Sequence, residues 1–403
     1  MIDTSNTAQV LTTSEHLPTH TLALYLHIPF CRTRCSYCAF NTYAGLTDLM
    51  PSYLRALDRE IRLVAATRRQ AHTIYFGGGT PSLVPPDQIA ALLRTCADSF
   101  ILDAATEITL EANPGTVSHD YLSQIRQAGV NRLSLGMQSA QPDELRLFAR
   151  RHSLDDVQIS LDTARAAGFD NINLDLIYGI PRQTLSQWQH NLDTAIDLAP
   201  THLSLYSLSI EDATPMQRWL EEGKMDRPDP DLAADMYEWA TDRLAAAGYE
   251  QYEISNWAKP GSECRHNVHI WRNLPYLGLG AGAHGGAAAT RYANVLLPSD
   301  YIARIESQPA PQPFPLSAAA DEIDPLTLPD VMAETMMLGL RLIQEGVALD
   351  TFSAHFEREL WDVYGTELDR LIREGLVTLD ADRCVRLTRR GRLLGNYVFR
   401  EFI

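Results

Sequence analysis

The chain contains no apolar run that approaches the ~18 residues of a membrane-spanning helix. Its first twenty residues have neither a basic start nor an apolar core, which excludes a secretory signal. They read as a disordered tail. Positive charge is also short. Lys and Arg number 34 against 51 Asp and Glu, a formal net charge of −17. Phosphate backbones attract clustered Lys and Arg, so nucleic acid is not expected as a partner. A cytoplasmic address follows from these absences. Cysteine is scarce, with six in 403 residues. In a reducing compartment those six serve as metal ligands sooner than as disulfides.

What is present suits a soluble globular protein of two or three domains at ~150 residues each. Three of the six cysteines lie within eight residues, Cys31-Arg32-Thr33-Arg34-Cys35-Ser36-Tyr37-Cys38, spaced C-x3-C-x2-C. Thiolates are soft ligands that select zinc, copper(I) or iron–sulfur centres. A structural zinc site closes itself with four ligands. Here the fourth is missing nearby, since Ala39 and Phe40 follow and the next cysteine is Cys96. Three thiolates on a 4Fe-4S cube leave one iron open to a small chelating molecule. A structural zinc site or three buried free thiols are the plainer readings.

The apolar run Leu22–Ile28 reads as a buried strand that delivers this loop. Strands are also expected over 72–76, 107–111, 131–137, 172–178 and 202–208, alternating with helices over 46–67, 86–96, 119–128, 154–167 and 185–198. Alternation of this kind predicts parallel βαβ units. Strands that are apolar throughout predict burial on both faces. The polar features collect where those strands end, which is where α/β barrels keep their active sites. The expectation is an α/β protein, a partial (β/α)6 barrel over 21–210, completed over 211–310. Residues 251–257 look strand-like, and 258–286 read as a loop. Residues 307–325 read as a proline-rich linker. From 326 to 403, helices (334–344, 349–356, 360–374) and a hairpin predict a winged-helix-like α+β module. In so acidic a chain such a module packs on its neighbour sooner than on DNA.

A glycine turn, Gly77-Gly78-Gly79-Thr80-Pro81, follows the second strand and brings backbone polar groups close to a ligand. It is neither a dinucleotide fingerprint nor a phosphate-binding Lys loop. Alone it is a tight βα turn. Glu111, Gln138, Arg150 and Asp175 stand at or just after strand ends, and each by itself reads as a loop cap or surface pair.

Taken together, the cysteine loop and the barrel pattern resemble the radical S-adenosylmethionine (SAM) superfamily. The resemblance implies that SAM chelates the open iron through its amino and carboxylate groups. An electron from the cluster then cleaves the sulfonium to a 5′-deoxyadenosyl radical. It places Tyr37 beside the adenine, and Gly78, Gly79 and Thr80 at the methionine amino group. Within the superfamily the chain resembles the anaerobic coproporphyrinogen oxidase family. The matching segments are Tyr25-Leu26-His27-Ile28-Pro29-Phe30-Cys31, Glu111-Ala112-Asn113-Pro114, Gly136-Met137-Gln138-Ser139 with Arg150, and Asn173 to Gly179. This implies SAM contacts from Tyr25, Glu111, Gln138, Arg150 and Asp175, and cluster ligation by Cys31, Cys35 and Cys38.

The oxidases of that family carry a fourth cysteine two residues after the third, and a longer N-terminal arm. Here Phe40 holds that position and 30 residues precede Cys31. Both departures point to the heme-chaperone branch. That branch has an H-N-x-x-Y-W motif, met here by His266-Asn267-Val268-His269-Ile270-Trp271, with Ile270 in place of tyrosine. The resemblance implies heme as a further cofactor, with His266 as iron ligand and Trp271 beside the macrocycle. His269 is an alternative ligand, and His284 is placed near the SAM pocket. The implied partners are heme, an acceptor protein for it and a reductant for the cluster; peripheral membrane contact and a homodimer stay open. The rival is a working enzyme, either a coproporphyrinogen III oxidase or another radical SAM enzyme acting on a tetrapyrrole.

Overall fold

The computed structural model describes residues 21–65 and 68–403. The expected tail over 1–20 lies outside them, as do residues 66–67 at the expected end of the first helix.

Strand β1 (Leu22–Ile28) is buried almost throughout. Leu22, Leu24, Leu26 and Ile28 enter the main core, and the period-two alternation of a strand turns Tyr25 and His27 to the other face. Helix α1 (Met50–Val64) covers the apolar face with Leu54, Leu57, Ile61 and Val64. The same repeat continues through β2 (Ala71–Gly78), α2 (Pro86–Ser99), β3 (Glu107–Ala112), α3 (His119–Ala128), β4 (Arg132–Gln138), α4 (Leu154–Ala166), β5 (Asn171–Tyr178), α5 (Leu185–Asp197) and β6 (His202–Ser207). The helices start where the sequence caps them. Ser153 with Asp156, and Thr184 with Gln187, form reciprocal capping boxes at α4 and α5. Strands β1 to β6 pair in parallel in chain order, because each crossover helix returns the chain in the same direction. This is the expected six-unit partial barrel.

The sheet is larger than that unit. After α6 (Pro230–Ala246), the strand-like stretch divides into β7 (Glu250–Glu253) and β8 (Asn256–Ala258), and β8 runs antiparallel to β6. The region read as a loop over 258–286 holds helix α7 (Arg265–Trp271) and strand β9 (Tyr276–Leu279). Strand β9 pairs in parallel with the free side of β1, so seven neighbouring strands pair in parallel. Strands β10 (His284–Ala287), β11 (Thr290–Asn294) and β12 (Ala320–Pro325) follow as antiparallel neighbours. The order is β12-β11-β10-β9-β1-β2-β3-β4-β5-β6-β8-β7. Strand β12 corrects the linker reading of 307–325. Its sequence, Ala-Asp-Glu-Ile-Asp-Pro, lacks apolar alternation because it is an exposed edge, where charge and proline discourage pairing with another chain.

Buried Glu60 of α1 ties this extension to the barrel. It accepts hydrogen bonds from Gly280 N (2.8 Å), Tyr301 Oη (2.6 Å), Ser317 Oγ (2.6 Å) and Asn294 Nδ2 (3.1 Å). Burial raises its carboxyl pKa, and these donors counter the rise.

The C-terminal module has its own core, including Met336, Leu340, Phe352, Leu368, Leu371 and Val385. Its first helix, α8, spans Leu328–Gly339 rather than 334–344, because Thr327 and Asp330 cap it earlier. Helix α9 (Leu360–Arg373) leads into the hairpin of β13 (Val377–Leu379) and β14 (Cys384–Leu387). The module docks on the barrel through Arg272–Glu345 (2.8 Å) and Arg291–Glu334 (2.6 Å). Among the described residues no helix is long and apolar enough to cross a membrane.

Candidate metal centre and cofactor pocket

The cysteine loop leaves the end of β1 and returns to it. Phe30–Cys31 pairs with Tyr43–Ala44, and Tyr43 N donates to Pro29 O (2.7 Å). Buried Phe30 anchors the entry, edge-on to Tyr53. Cys31, Cys35 and Cys38 are free and partly exposed. Thr80 Oγ1 donates to Cys31 Sγ (3.5 Å) and Arg150 Nη1 to Cys35 Sγ (3.5 Å), while Cys38 Sγ lies 4.0 Å from Thr42 Oγ1. Burial pushes the Cys31 and Cys38 thiols up, and the Thr80 donor opposes this at Cys31. Such donors favour the thiolate that a metal requires. Among the described residues no three His, Cys, Asp or Glu side chains converge closely enough to hold a single ion. Three thiols fanned over one loop fit the broader body of a 4Fe-4S cube.

The glycine turn lies against this loop. Gly78 has a left-handed φ of +109°, and a Cβ there would stand 2.4 Å from the His27 ring. A Cβ on Gly79 would stand 2.7 Å from Phe30 O, which is backbone and cannot give way. Glu111 accepts from Tyr75 Oη (2.8 Å) and Gly78 N (3.2 Å). Burial, with the nearby Asp175 charge, pushes its carboxyl up to about 7. Asp175 is held by Ser134 Oγ (3.0 Å) and Asn173 Nδ2 (2.8 Å), and burial raises it too. Tyr25 Oη meets His27 Nδ1 at 3.1 Å.

Arg150 is the hub. Its Nη2 donates to Asn113 Oδ1 (2.6 Å) and Gly136 O (2.7 Å) while its Nη1 faces Cys35. Asn113 Nδ2 in turn donates to Thr80 Oγ1 (3.1 Å). Gln138 ends β4 with a φ of 65°, uncommon for a residue with a side chain. A Cβ on Gly136 would sit 2.6 Å from Gln138 Nε2 and 2.8 Å from Arg150 Nη2, so that glycine makes room for both. Tyr37 packs edge-on to Phe148 (5.1 Å) beside Ile177, Ile180 and Met216, and it feels the charges of Arg150, Cys35 and Asp175. A cavity of about 290 Å³ opens among Cys35, Thr80, Asn113, Gly115 and Arg150.

The structure thus gathers Tyr25, Tyr37, Gly78, Gly79, Thr80, Glu111, Gln138, Arg150 and Asp175 around the three cysteines. His266 meets this set only from below, its ring 6.4 Å from that of Tyr25 and 5.0 Å from that of Tyr75, and Trp271 packs elsewhere. Helix α7 closes the opposite end, the barrel floor. Glu107, at the start of β3, accepts from the backbone N of Arg265 and His266 (3.0 Å each) and so caps α7. His266 is 6 % exposed, and its Nδ1 meets Thr73 Oγ1 at 2.8 Å. Burial takes its pKa down to about 3. Thr73 lies five residues before Gly78, ~17 Å along β2. His269, the alternative ligand, is 1 % exposed, with Nε2 on Pro275 O (2.8 Å). Trp271 packs under the Arg341 guanidinium (4.9 Å). Both imidazoles are buried and hydrogen-bonded on a helix, where the sequence over 258–286 reads as a loop. The reason is the Glu107 cap, invisible to local sequence reading because the partners are 159 residues apart.

Residues 25–195 match the Radical SAM superfamily profile, and residues 326–394 match the HemN C-terminal domain. The heme chaperone HemW of Mycobacterium tuberculosis is 38 % identical over 392 residues, covering 96 % of each chain. The chain belongs to the heme chaperone HemW family. HemW of Bacillus subtilis is 38 % identical, covering 94 % of this chain and 98 % of that one. Among solved structures, coproporphyrinogen III oxidase (HemN) of Escherichia coli, a radical SAM enzyme, superposes with a TM-score of 0.81. It is 25 % identical and covers 95 % of this chain and 90 % of that one. In this HemW-family chain, Asn113 and Gly136 are the site residues that motif reading passed over. Their signal lay in the quoted segments, but only the fold shows that both hold Arg150.

Proposed function

We propose that the protein binds heme and passes it to an acceptor protein, in the cytoplasm, carrying a 4Fe-4S cluster with exchangeable SAM at the barrel mouth. The observation that carries this reading is the open thiol triad bordered by a 68 % exposed Phe40, in a chain that resembles HemW relatives along nearly its whole length. When bound, the cluster and SAM supply one-electron chemistry. The chain's own residues hold and orient. Cys31, Cys35 and Cys38 ligate the cube, and the Thr80 and Arg150 donors stabilise their thiolates. Arg150, fixed by Asn113 and Gly136, suits the SAM carboxylate. The turn at Gly78 and Gly79 suits its amino group. Glu111 and Asp175 suit ribose hydroxyls, and Tyr37 suits the adenine.

The likeness to HemN favours a second reading, a working oxidase on coproporphyrinogen III that draws on an external reductant. Phe40 in place of a fourth cysteine speaks against it. One experiment separates them. The reconstituted protein is loaded with hemin anaerobically and mixed with an excess of apomyoglobin as a probe acceptor. A parallel sample receives coproporphyrinogen III, SAM and dithionite. The proposal expects the myoglobin Soret band to grow and the coproporphyrinogen to stay unchanged. Protoporphyrinogen formation without heme transfer supports the enzyme instead.

A further inference from the structure

Resting on the heme reading, we infer that the heme iron is taken at the barrel mouth by His284, on an apolar rim formed by Phe40, Leu296 and Leu297. An axial ligand needs an imidazole nitrogen that is free and reachable. Of the barrel's other described histidines, His119 and His190 are exposed on the covering helices α3 and α5, and the rest are engaged in hydrogen bonds. His27 meets Tyr25 Oη (3.1 Å) and Asn41 O (2.9 Å), and His202 meets Asn173 Oδ1 (2.6 Å) and Tyr252 Oη (2.8 Å). His152 Nε2 meets Met137 O (3.0 Å). His266 and His269 lie in the floor. His284 is exposed and has no hydrogen-bond partner among the described residues.

The surroundings of His284 suit a flat, largely apolar dianion. Strand β10 opens with His284 opposite Ala293, close enough to His27 for its charge to act on that ring. His27 in turn binds Asn41, the residue after Phe40. Asn41 Nδ2 donates to Ala281 O (3.0 Å) and Leu296 O (2.9 Å), and Tyr43 Oη donates to Leu296 O (3.1 Å). These bonds stitch the cysteine loop to the segment that carries His284. Three large apolar side chains stand out along that seam: Phe40 (68 % exposed), Leu296 (60 %) and Leu297 (47 %). Exposed apolar clusters of this kind mark binding surfaces. Arg34 is exposed, donates to Cys38 O (3.2 Å) and acts on the Tyr43 hydroxyl, so a cation for a heme propionate lies on the same rim.

The test is an anaerobic hemin titration of the reconstituted wild type, His284→Ala, His266→Ala and Phe40→Ser. It reads the Soret band, the resonance Raman markers of axial ligation and the circular dichroism of each variant. We expect His284→Ala to weaken binding by at least about tenfold and to change the ligation markers while the fold and cluster absorption persist. Phe40→Ser should weaken binding with the ligation markers unchanged, and folded His266→Ala should keep wild-type ligation. Wild-type ligation in His284→Ala overturns the inference and leaves the heme reading intact. No Soret change in the wild type overturns both.

Discussion

The two ends of the barrel carry similar residue types and differ in what those residues meet. At the mouth, thiols, Arg150 and backbone turns face a cavity, and the three thiols are partly exposed. At the floor, Glu107, Arg132, Cys264 and His266 are all buried. Glu107 spends its carboxylate on the α7 backbone, and Cys264 Sγ points back at it (3.7 Å). Charged and imidazole groups beside a strand end are therefore no sign of chemistry by themselves. Openness to a cavity marks the mouth; burial marks the floor, where Arg132 Nε, His269 Nδ1 and Trp271 Nε1 are enclosed even without a hydrogen-bond partner among the described residues.

The largest break in this comparison comes from Cys35→Ala. It should abolish the cluster's visible absorption and its iron and sulfide content while leaving the melting curve close to wild type, since the thiol sits on an exposed loop. Glu107→Ala should do the reverse. It leaves the α7 amides without their cap and the buried Arg132 without a nearby counter-charge, at a cost of about 3 kcal/mol. Denaturant unfolding of the chain reads that loss, and retained cluster absorption in the surviving folded fraction shows that it is confined to the floor.

Arg150→Lys sharpens the account of the mouth. Lysine cannot reach Asn113, Gly136 and Cys35 at once, so SAM affinity should fall roughly tenfold, ~1.4 kcal/mol. Equilibrium dialysis of SAM against the reconstituted variant measures this.

The smallest effect concerns Glu111. Its folded pKa of about 7 lies above the ~4.3 of an unfolded glutamate. The stability that its bound proton contributes is complete below the unfolded value and is lost as pH rises through the folded one. Glu111→Gln does not ionise, so its melting temperature should fall less than wild type between pH 5 and 8. Glu253, also raised to about 7 by burial, keeps its own share of that slope in both proteins.

The mouth was legible because its signals are local. The C-x3-C-x2-C spacing fits in eight residues, and the glycine turn follows one apolar strand. The six parallel strands were legible for the same reason, each being a short apolar run between helical periods. The floor was not, because Thr73 and His266 are 193 residues apart, and a short motif does not say whether its histidine faces solvent or a sheet. Strand β12 looks like a linker in the sequence because an edge strand protected by Asp321, Glu322, Asp324 and Pro325 shows no apolar alternation. Strand β9 was hidden in a glycine-rich stretch, where Gly278 leaves room for the neighbouring His284 backbone.

The most direct measurement is the Soret titration of the protein with hemin, run anaerobically with the cluster reconstituted and again in cluster-free Cys35→Ala. A working mouth predicts saturable binding at one heme per chain in the loaded protein, weakened when the cluster loop has lost its metal. Equal binding in both proteins, or none in either, contradicts it.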